Sequence, residues 1–363
     1  MENHTIILTG GGTAGHVTLN IKLKDELKKY FNKIVYIGSY DGIEKELIKK
    51  NTDFEYIPIT TVKFDRKKLF KNLSIPFKLS KGVNQAKEII KKYQPEIIFS
   101  KGGYVGLPVV IAGNKLKVPV ICHESDITMG LANKLAKKHA TVICTNFAKT
   151  AEENGEKCIY TGMPIKVSPL SKEEAKQNLG IYTHKPVLLV TGGSLGAVAI
   201  NKFIFECISK LTLKYYVIHL VGKNNKNKNI TLKDYKQIEF SNDMSTILRA
   251  SDFAISRAGA NTVIELLSNN ILTIFIPLPK TASRGDQIEN SKYLESKNLC
   301  ATILQEELTY DKLQNTLNFL ENNANLIHKS IKSANFEDGT KKIINIINQN
   351  KKHISWCAFC YLL

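Results

Sequence analysis

The run Ser256-Arg257-Ala258-Gly259-Ala260-Asn261-Thr262-Val263-Ile264-Glu265 decides how this chain folds. Before it, Asp252-Phe253-Ala254-Ile255 is a short apolar stretch of the kind that forms a buried parallel strand. After it, Val263, Leu266 and Leu267 recur at helical spacing, so strand gives way to helix around Gly259. A turn of this kind presents backbone N–H groups and the positive end of a helix dipole, both suited to phosphate. Glu265 follows about two turns into the helix, where a carboxylate can take the two hydroxyls of a ribose. The local reading is a nucleotide seat. An ordinary strand–helix junction with a surface Glu is the alternative for the same residues.

Working outward, 363 residues exceed one typical domain and fit two, each able to bury its own core. Hydrophobic content of 43% and charged content of 23% are those of a folded soluble protein. The net charge of +18 invites nucleic acid or an anionic membrane. The cations are nearly all Lys in a chain also rich in Asn and Ile, so overall charge is weak evidence and only local clusters count. Against that background arginine is informative. Only Arg66, Arg249, Arg257 and Arg284 occur, and two of them flank the candidate seat.

Cys122, Cys144, Cys158, Cys207 and Cys300 are scattered, several in strand-like runs, as small buried hydrophobes of a reducing compartment would be. Cys357 and Cys360 form a lone CxxC with no second pair or histidines, too little for a metal site. No secretory signal opens the chain, and no apolar run approaches the roughly 18–20 residues that span a bilayer. The expectation is a cytoplasmic protein that at most rests on a membrane.

The N-terminal part alternates strands and helices. Thr5-Ile6-Ile7-Leu8-Thr9 runs into Gly10-Gly11-Gly12-Thr13-Ala14-Gly15-His16 and a helix to about residue 30. Further strands fall at residues 33–38, 96–100, 118–122 and 141–144, and continuous β-branched strands between helices mean a parallel sheet covered on both faces. Pattern lapses at residues 163–185, a hinge. It restarts with Pro186-Val187-Leu188-Leu189-Val190-Thr191-Gly192-Gly193-Ser194-Leu195-Gly196, the device used at residues 6–15. Two halves opening alike predict α/β architecture with twin Rossmann-like domains facing one another across a cleft. Strands follow at residues 216–221, 252–255 and 272–276, then helices over 308–349. The domains read as 1–162 and 186–349, with an apolar tail at 350–363.

Several loops carry candidate chemistry. Gly10, Gly12 and Gly15 satisfy GxGxxG, a weak signal alone. Asp41 lies later than a dinucleotide's ribose partner should. His16, at a helix start on a glycine loop, suits acid–base work, with helix capping or packing as the alternative. Ser100-Lys101-Gly102-Gly103-Tyr104 and His123-Glu124-Ser125-Asp126 leave the carboxyl ends of strands, where ligands bind in such folds. Arg284-Gly285-Asp286-Gln287 offers polar groups to a sugar. No Asp-x-Asp occurs to hold a metal on a leaving diphosphate, so dipoles and Lys or Arg are expected to do that work, with no metal and no cofactor.

Taken together, Gly11-Gly12-Thr13-Ala14-Gly15-His16, Lys101-Gly102-Gly103-Tyr104, His123-Glu124-Ser125-Asp126, Gly192-Gly193-Ser194-Leu195-Gly196, residues 256–265 and Gly285-Asp286-Gln287 resemble the MurG family in order and over about residues 5–348. These are inverting GT-B glycosyltransferases that move N-acetylglucosamine from UDP-GlcNAc to lipid I, giving lipid II. The resemblance implies UDP-GlcNAc and lipid I as partners and no nucleic acid. It implies donor contacts from Thr13, Gly15, Lys166, Ser194, Arg257, Ala260, Asn261, Thr262, Glu265 and Gln287, with Glu265 on the ribose and Gln287 on the sugar. Acceptor contacts would come from Gly102, Gly103, Tyr104, His123 and Asp126, and His16 or Glu124 would activate the acceptor 4-hydroxyl. Lys166 stands where the family usually has Arg, Ala14 where it has Gly, and Ser125-Asp126 where it has Gln-Asn.

Because lipid I is embedded in a membrane, the resemblance also implies a peripheral enzyme on the cytoplasmic face, with cell-wall synthesis proteins as partners. Residues 63–78 mix Lys, Arg, Phe and Leu as an interfacial segment does. A UDP-sugar-dependent diacylglycerol glycosyltransferase is the competing enzyme. An NAD-dependent dehydrogenase explains the first glycine loop but leaves Glu265 and the second loop idle. A UDP-sugar-binding protein without turnover is the third reading.

Overall fold

The computed structural model describes residues 4–64, 69–193 and 196–352. Ser194, residues 65–68 of the basic–apolar segment and the tail from 353 lie outside the described residues. The chain divides into two compact units: Met1–Ser125, Met129–Pro164 and Gly339–Leu363 form the first, Asp126–Thr128 and Ile165–Asp338 the second.

In the first unit, seven parallel strands line up as β3-β2-β1-β4-β5-β6-β7. They are β1 (Thr5–Thr9), β2 (Lys33–Ser39), β3 (Glu55–Ile59), β4 (Ile97–Ser100), β5 (Val120–Glu124), β6 (Val142–Thr145) and β7 (Cys158–Tyr160). Every residue of β1, β4 and β5 is buried, which is why those strands are continuously apolar rather than alternating. Ile7, Val35, Ile37, Ile98, Val109 and Val120 belong to the core that the sheet shares with its covering helices.

The second unit holds six parallel strands in the order β10-β9-β8-β11-β12-β13. These are β8 (Val187–Thr191), β9 (Tyr216–Leu220), β10 (Tyr235–Ile238), β11 (Phe253–Ser256), β12 (Leu272–Phe275) and β13 (Ala301–Thr302). The strand expected at 252–255 sits one residue later, because Asp252 serves the strand end: its Oδ2 accepts the Val187 N–H at 2.8 Å and its other oxygen pairs with Lys172.

In each sheet the winding direction reverses once, between β1 and β4 and between β8 and β11. At such a switch point the loops leaving neighbouring strands part and open a crevice beyond the carboxyl ends. Thr9 pairs with Ser100 and Thr191 with Ser256, so each pair of loops departs at one level. Among the loops singled out from the sequence, those after β1, β4, β8 and β11 are the four that flank these points.

Two domain boundaries differ from the sequence reading. Residues 165–185 are no loose hinge: they belong to the second unit, and Ser171 and Glu174 form a reciprocal capping box on the helix Lys172–Asn178. The last helix, Thr340–Asn350, belongs to the first unit rather than to the domain before it. It packs on β4 and the helix Lys24–Leu27, buries Ile343 and Ile347 completely, and begins where the Gly339 N–H meets the Met163 carbonyl at 3.0 Å.

Cys122, Cys144, Cys158, Cys207 and Cys300 are free and buried, as small hydrophobes. Among the described residues no helix is long and apolar enough to cross a membrane.

Candidate active site

In the first unit the loop after β1 is shaped by glycine. Gly12 has φ +86°, and a Cβ there would lie 2.5 Å from the Tyr104 ring, so the ring seats directly on the turn. The loop ends in the helix Gly15–Lys22, which carries His16 in its first turn. His16 Nδ1 lies 3.1 Å from the Gly11 carbonyl and 3.1 Å from the Thr13 hydroxyl. A carbonyl has no proton to give, so Nδ1 bears a hydrogen, and in the neutral ring the lone pair is on Nε2. That is the tautomer of a base.

Behind the loop stands a residue the sequence reading missed. Glu44 is fully buried, and its Oε2 accepts the Gly12 N–H at 3.1 Å while Oε1 accepts the Ser39 N–H at 3.1 Å. The Gly12 N–H is thus taken by a carboxylate, and a phosphate brought there would meet a buried like charge. Asp41, the other acid near β2, is exposed. This argues against a dinucleotide on the GxGxxG loop. Glu44 was legible only as an acid in the first turn of the helix after β2, within reach of the glycines.

The loop after β4 brings Gly102, Gly103 and Tyr104 against the first. A Cβ on Gly103 would lie 3.0 Å from His16 Nδ1. Burial raises the Tyr104 phenol, with the Glu44 charge adding to it, so Tyr104 remains a neutral hydroxyl. Lys101 is buried with its ammonium on the Ser125 hydroxyl. Glu124, at the end of β5, is 5% exposed, and its Oε2 accepts from the Gly130 N–H at 2.8 Å and from Asn133 Nδ2 at 3.0 Å. Asn133, also missed, holds the His123 carbonyl at 3.1 Å with the same amide group.

One acceptor expectation needs correction, and a second residue is engaged elsewhere. His123 is completely buried, and its Nε2 donates to the Gly162 carbonyl at 3.1 Å. Burial, helped by the Lys101 charge, holds it well below the ordinary histidine range, so it is a neutral strut under the Gly162 turn and touches no ligand surface. Asp126 is engaged in the second unit, where Oδ2 meets Arg284 Nη2 at 2.7 Å and Oδ1 meets Asn290 Nδ2 at 3.1 Å.

In the second unit the decisive stretch folds as read. After β11, Gly259 is extended (φ −68°, ψ 134°) and caps the helix Ala260–Ser268 without any side-chain hydrogen bond. The N-terminal turn of that helix, with Ala260, Asn261 and Thr262, therefore presents its dipole end to the switch point. Glu265, half-buried, is on the same helix. Gln287, in the first turn of the helix Asp286–Ser296, accepts the Leu278 N–H at 3.1 Å, and its Nε2 comes 3.9 Å from where a Gly259 Cβ would be. Gly192 lies against Ala197, and Ser194 is outside the described residues.

Arg257 turns inward instead. It is 8% exposed, with Nη1 on the carbonyls of Ile276 (3.0 Å) and Pro277 (3.1 Å) and Nη2 on Gln305 Oε1 (2.6 Å). This arginine fixes the turn from behind rather than reaching a ligand with those donors. Asn290, fully buried and missed by the sequence reading, ties Asp126 and the Ile127 N–H to the Ala258 carbonyl at 3.2 Å. Lys166 is exposed and close enough to Asp243 to help lower that carboxyl, whose main support is the Thr246 hydroxyl. Thr13 and Gly15 belong to the first unit with His16, apart from the other donor expectations. Among the described residues no three His, Cys, Asp or Glu side chains gather as a metal site.

Two parallel α/β units, each with glycine turns at its switch point, are the architecture of the GT-B class of two-domain glycosyltransferases. Solved structures share the fold: a MurG from Acinetobacter baumannii, with TM-score 0.72 at 22% identity over 95% of this chain and 99% of that one, and a calicheamicin glycosyltransferase, with TM-score 0.71 at 12% identity over 96% and 98%. The glycosyltransferase family 28 N-terminal domain model matches residues 6–145 and the C-terminal domain model residues 187–346. A Clostridium botulinum (strain Kyoto / Type A2) protein is 44% identical over 96% of this chain and 99% of its own length, and a Clostridium tetani protein 42% over 95% and 97%. Both are named UDP-N-acetylglucosamine--N-acetylmuramyl-(pentapeptide) pyrophosphoryl-undecaprenol N-acetylglucosamine transferase. The chain belongs to glycosyltransferase family 28 and, within it, to the MurG family of those relatives.

Proposed function

We propose that this protein transfers N-acetylglucosamine from UDP-GlcNAc to the MurNAc 4-hydroxyl of lipid I, with inversion, forming lipid II. The observation that carries the reading is the match to relatives of that name, 44% identical over 96% of the chain. In the transfer, the acceptor oxygen attacks the anomeric carbon as the bond to the diphosphate breaks, and UDP leaves with the bonding pair. His16 Nε2 takes the hydroxyl proton. Glu124, whose Oε2 is committed to Gly130 and Asn133, shapes the loop after β5. The helix Ala260–Ser268 takes the diphosphate at its N-terminus, Glu265 the ribose and Gln287 the sugar.

The test is UDP release from UDP-GlcNAc in EDTA, with a short-chain lipid I analogue, diacylglycerol or no acceptor. Release with the lipid I analogue alone is the expected result. Release with diacylglycerol alone would overturn the acceptor.

We also propose that the first unit rests on the anionic cytoplasmic face of the membrane. Leu73 (74% exposed) and Phe77 (80% exposed) stand beside exposed Lys78 where the helix Ile75–Tyr93 begins, with exposed Lys63 and Phe64 at the near end of the same segment. Each large side chain contributes roughly 1.5–3 kcal/mol when it leaves water. Replacing Leu73 and Phe77 by Ser should cut sedimentation with anionic liposomes at least tenfold at unchanged Tm. Native sedimentation would remove the membrane role from this segment.

A further inference from the structure

We propose that Glu44 is a positioning residue that acts on His16 through the peptide group joining Gly11 to Gly12. A buried carboxylate ordinarily lies against a cation. Among the described residues Glu44 forms no ion pair. Its charge is held by the Gly12 N–H at 3.1 Å, the Ser39 N–H at 3.1 Å and the Ser39 hydroxyl. The loop is cut to admit it: a Cβ on Gly11 would fall 2.6 Å from Oε2, and one on Gly42 would collide with Oε1. Tyr36, Tyr56 and Tyr104 face it, and their phenols are raised first by burial and then by its field.

The N–H that Oε2 accepts and the carbonyl that His16 Nδ1 reaches at 3.1 Å belong to one amide. Resonance couples the two ends of that amide. A negative charge on the N–H therefore raises electron density on the carbonyl oxygen and strengthens it as an acceptor. Glu44 does across one peptide what a carboxylate hydrogen-bonded directly to an imidazole does: it holds the Nδ1–H tautomer and stabilises the imidazolium formed when Nε2 takes a proton. No proton passes along the peptide. Field and geometry act alone.

The other titratable groups around the loop are Tyr104 on Gly12, Tyr36 donating to the Gly10 carbonyl at 2.7 Å, and Lys101 beside Gly10 with its ammonium turned to Ser125. Lys101 opposes the field of Glu44 and is unchanged in the variants below. The proposal rests on the reading of His16 as the base, and the test separates the two.

Glu44→Gln keeps size and an acceptor oxygen but removes the charge, while Glu44→Asp keeps the charge but shortens its reach. With UDP-GlcNAc and a short-chain lipid I analogue, Glu44→Gln should lower kcat about tenfold or more at unchanged donor KM. The acid limb of its kcat/KM profile should move down by about half to one pH unit. Glu44→Asp should hold the acid limb in place even where kcat falls. In a His16→Ala background, Glu44→Gln should cost nothing further. Equal losses in both Glu44 variants with unmoved acid limbs would reduce Glu44 to packing and overturn the proposal. Near-native turnover in His16→Ala would overturn the base itself. Nitrogen-15 NMR of the unmutated protein needs no variant to fold: a His16 ring protonated at Nδ1 supports the relay, and one protonated at Nε2 overturns it.

Discussion

The two switch points are built on the same topology and carry opposite electrostatics. At β1 and β4 the glycine loop is backed by a buried carboxylate, Glu44, and presents the imidazole of His16. At β8 and β11 the turn is backed by a buried guanidinium, Arg257, and presents a helix N-terminus without a side-chain cap. The difference begins one crossover later. In the first unit β2 leads into the helix Ile43–Asn51, whose first turn supplies Glu44. In the second, residues 221–234 run from β9 to β10 with no helix to carry an acid in the position of Glu44. A neutral network stands nearby: His219 between Tyr235 (2.9 Å) and Asn201 (3.0 Å). Under the proposed function, one topology serves proton transfer in the first unit and anion binding in the second, with opposite charges placed behind the loops.

The proposed function puts turnover in the first unit and donor binding in the second. It breaks most visibly at His16. His16→Ala should lower kcat about 10²–10⁴-fold with little change in UDP-GlcNAc affinity. A variant that instead lost donor affinity at native kcat would reverse the assignment. Glu265→Ala should weaken donor binding by roughly 1.5–3 kcal/mol, about 10–150-fold, with kcat kept at saturation. Calorimetry with UDP-GlcNAc checks this, and an unaltered Kd would take the ribose away from Glu265.

The smallest effect sharpens the contrast. Burial pushes His219 down to about 3, so it is neutral when folded, whereas in the unfolded chain it titrates near about 6.5. Its neutral form stabilises the fold fully above about pH 6.5. That contribution is lost by up to about 1.4 kcal/mol per pH unit as pH falls towards 3. His219→Gln should flatten the acid side of the urea-midpoint profile without altering kcat. A variant with the native acid slope would show that His219 does not drive this loss.

The central strands were legible and the edges were not. β1, β4, β8 and β11 are wholly buried and read as unbroken apolar runs. The four strands missed, β3, β7, β10 and β13, are the four sheet edges. Half-solvated on one side, they tolerate Glu55, Pro58, Lys236 and Gln237, which blur the pattern. The site divides similarly. Loops at strand ends announced themselves by their glycines, and His16 by its place on one of them. Glu44, Asn133 and Asn290 are buried polar side chains on covering helices, where sequence shows only an ordinary amphipathic pattern and the partners belong to other elements. His123 misled for the converse reason: its position at a strand end is real, but its ring points into the protein.

The chain leaves the first unit at Pro164 and returns to it at Gly339, and the two passages are stitched by Gly339 to Met163 and, on the other side, by the Ile165 N–H to Asp338 Oδ1 at 3.1 Å. This ordering has a consequence for biosynthesis. Emerging from the ribosome, the second unit has all of its strands and helices once residue 338 is out. The first still lacks the helix whose Ile343 and Ile347 seal β4. The part of the molecule made first is therefore the last to be completed, and a nascent chain halted before that helix would carry a finished second unit and an unsealed first one.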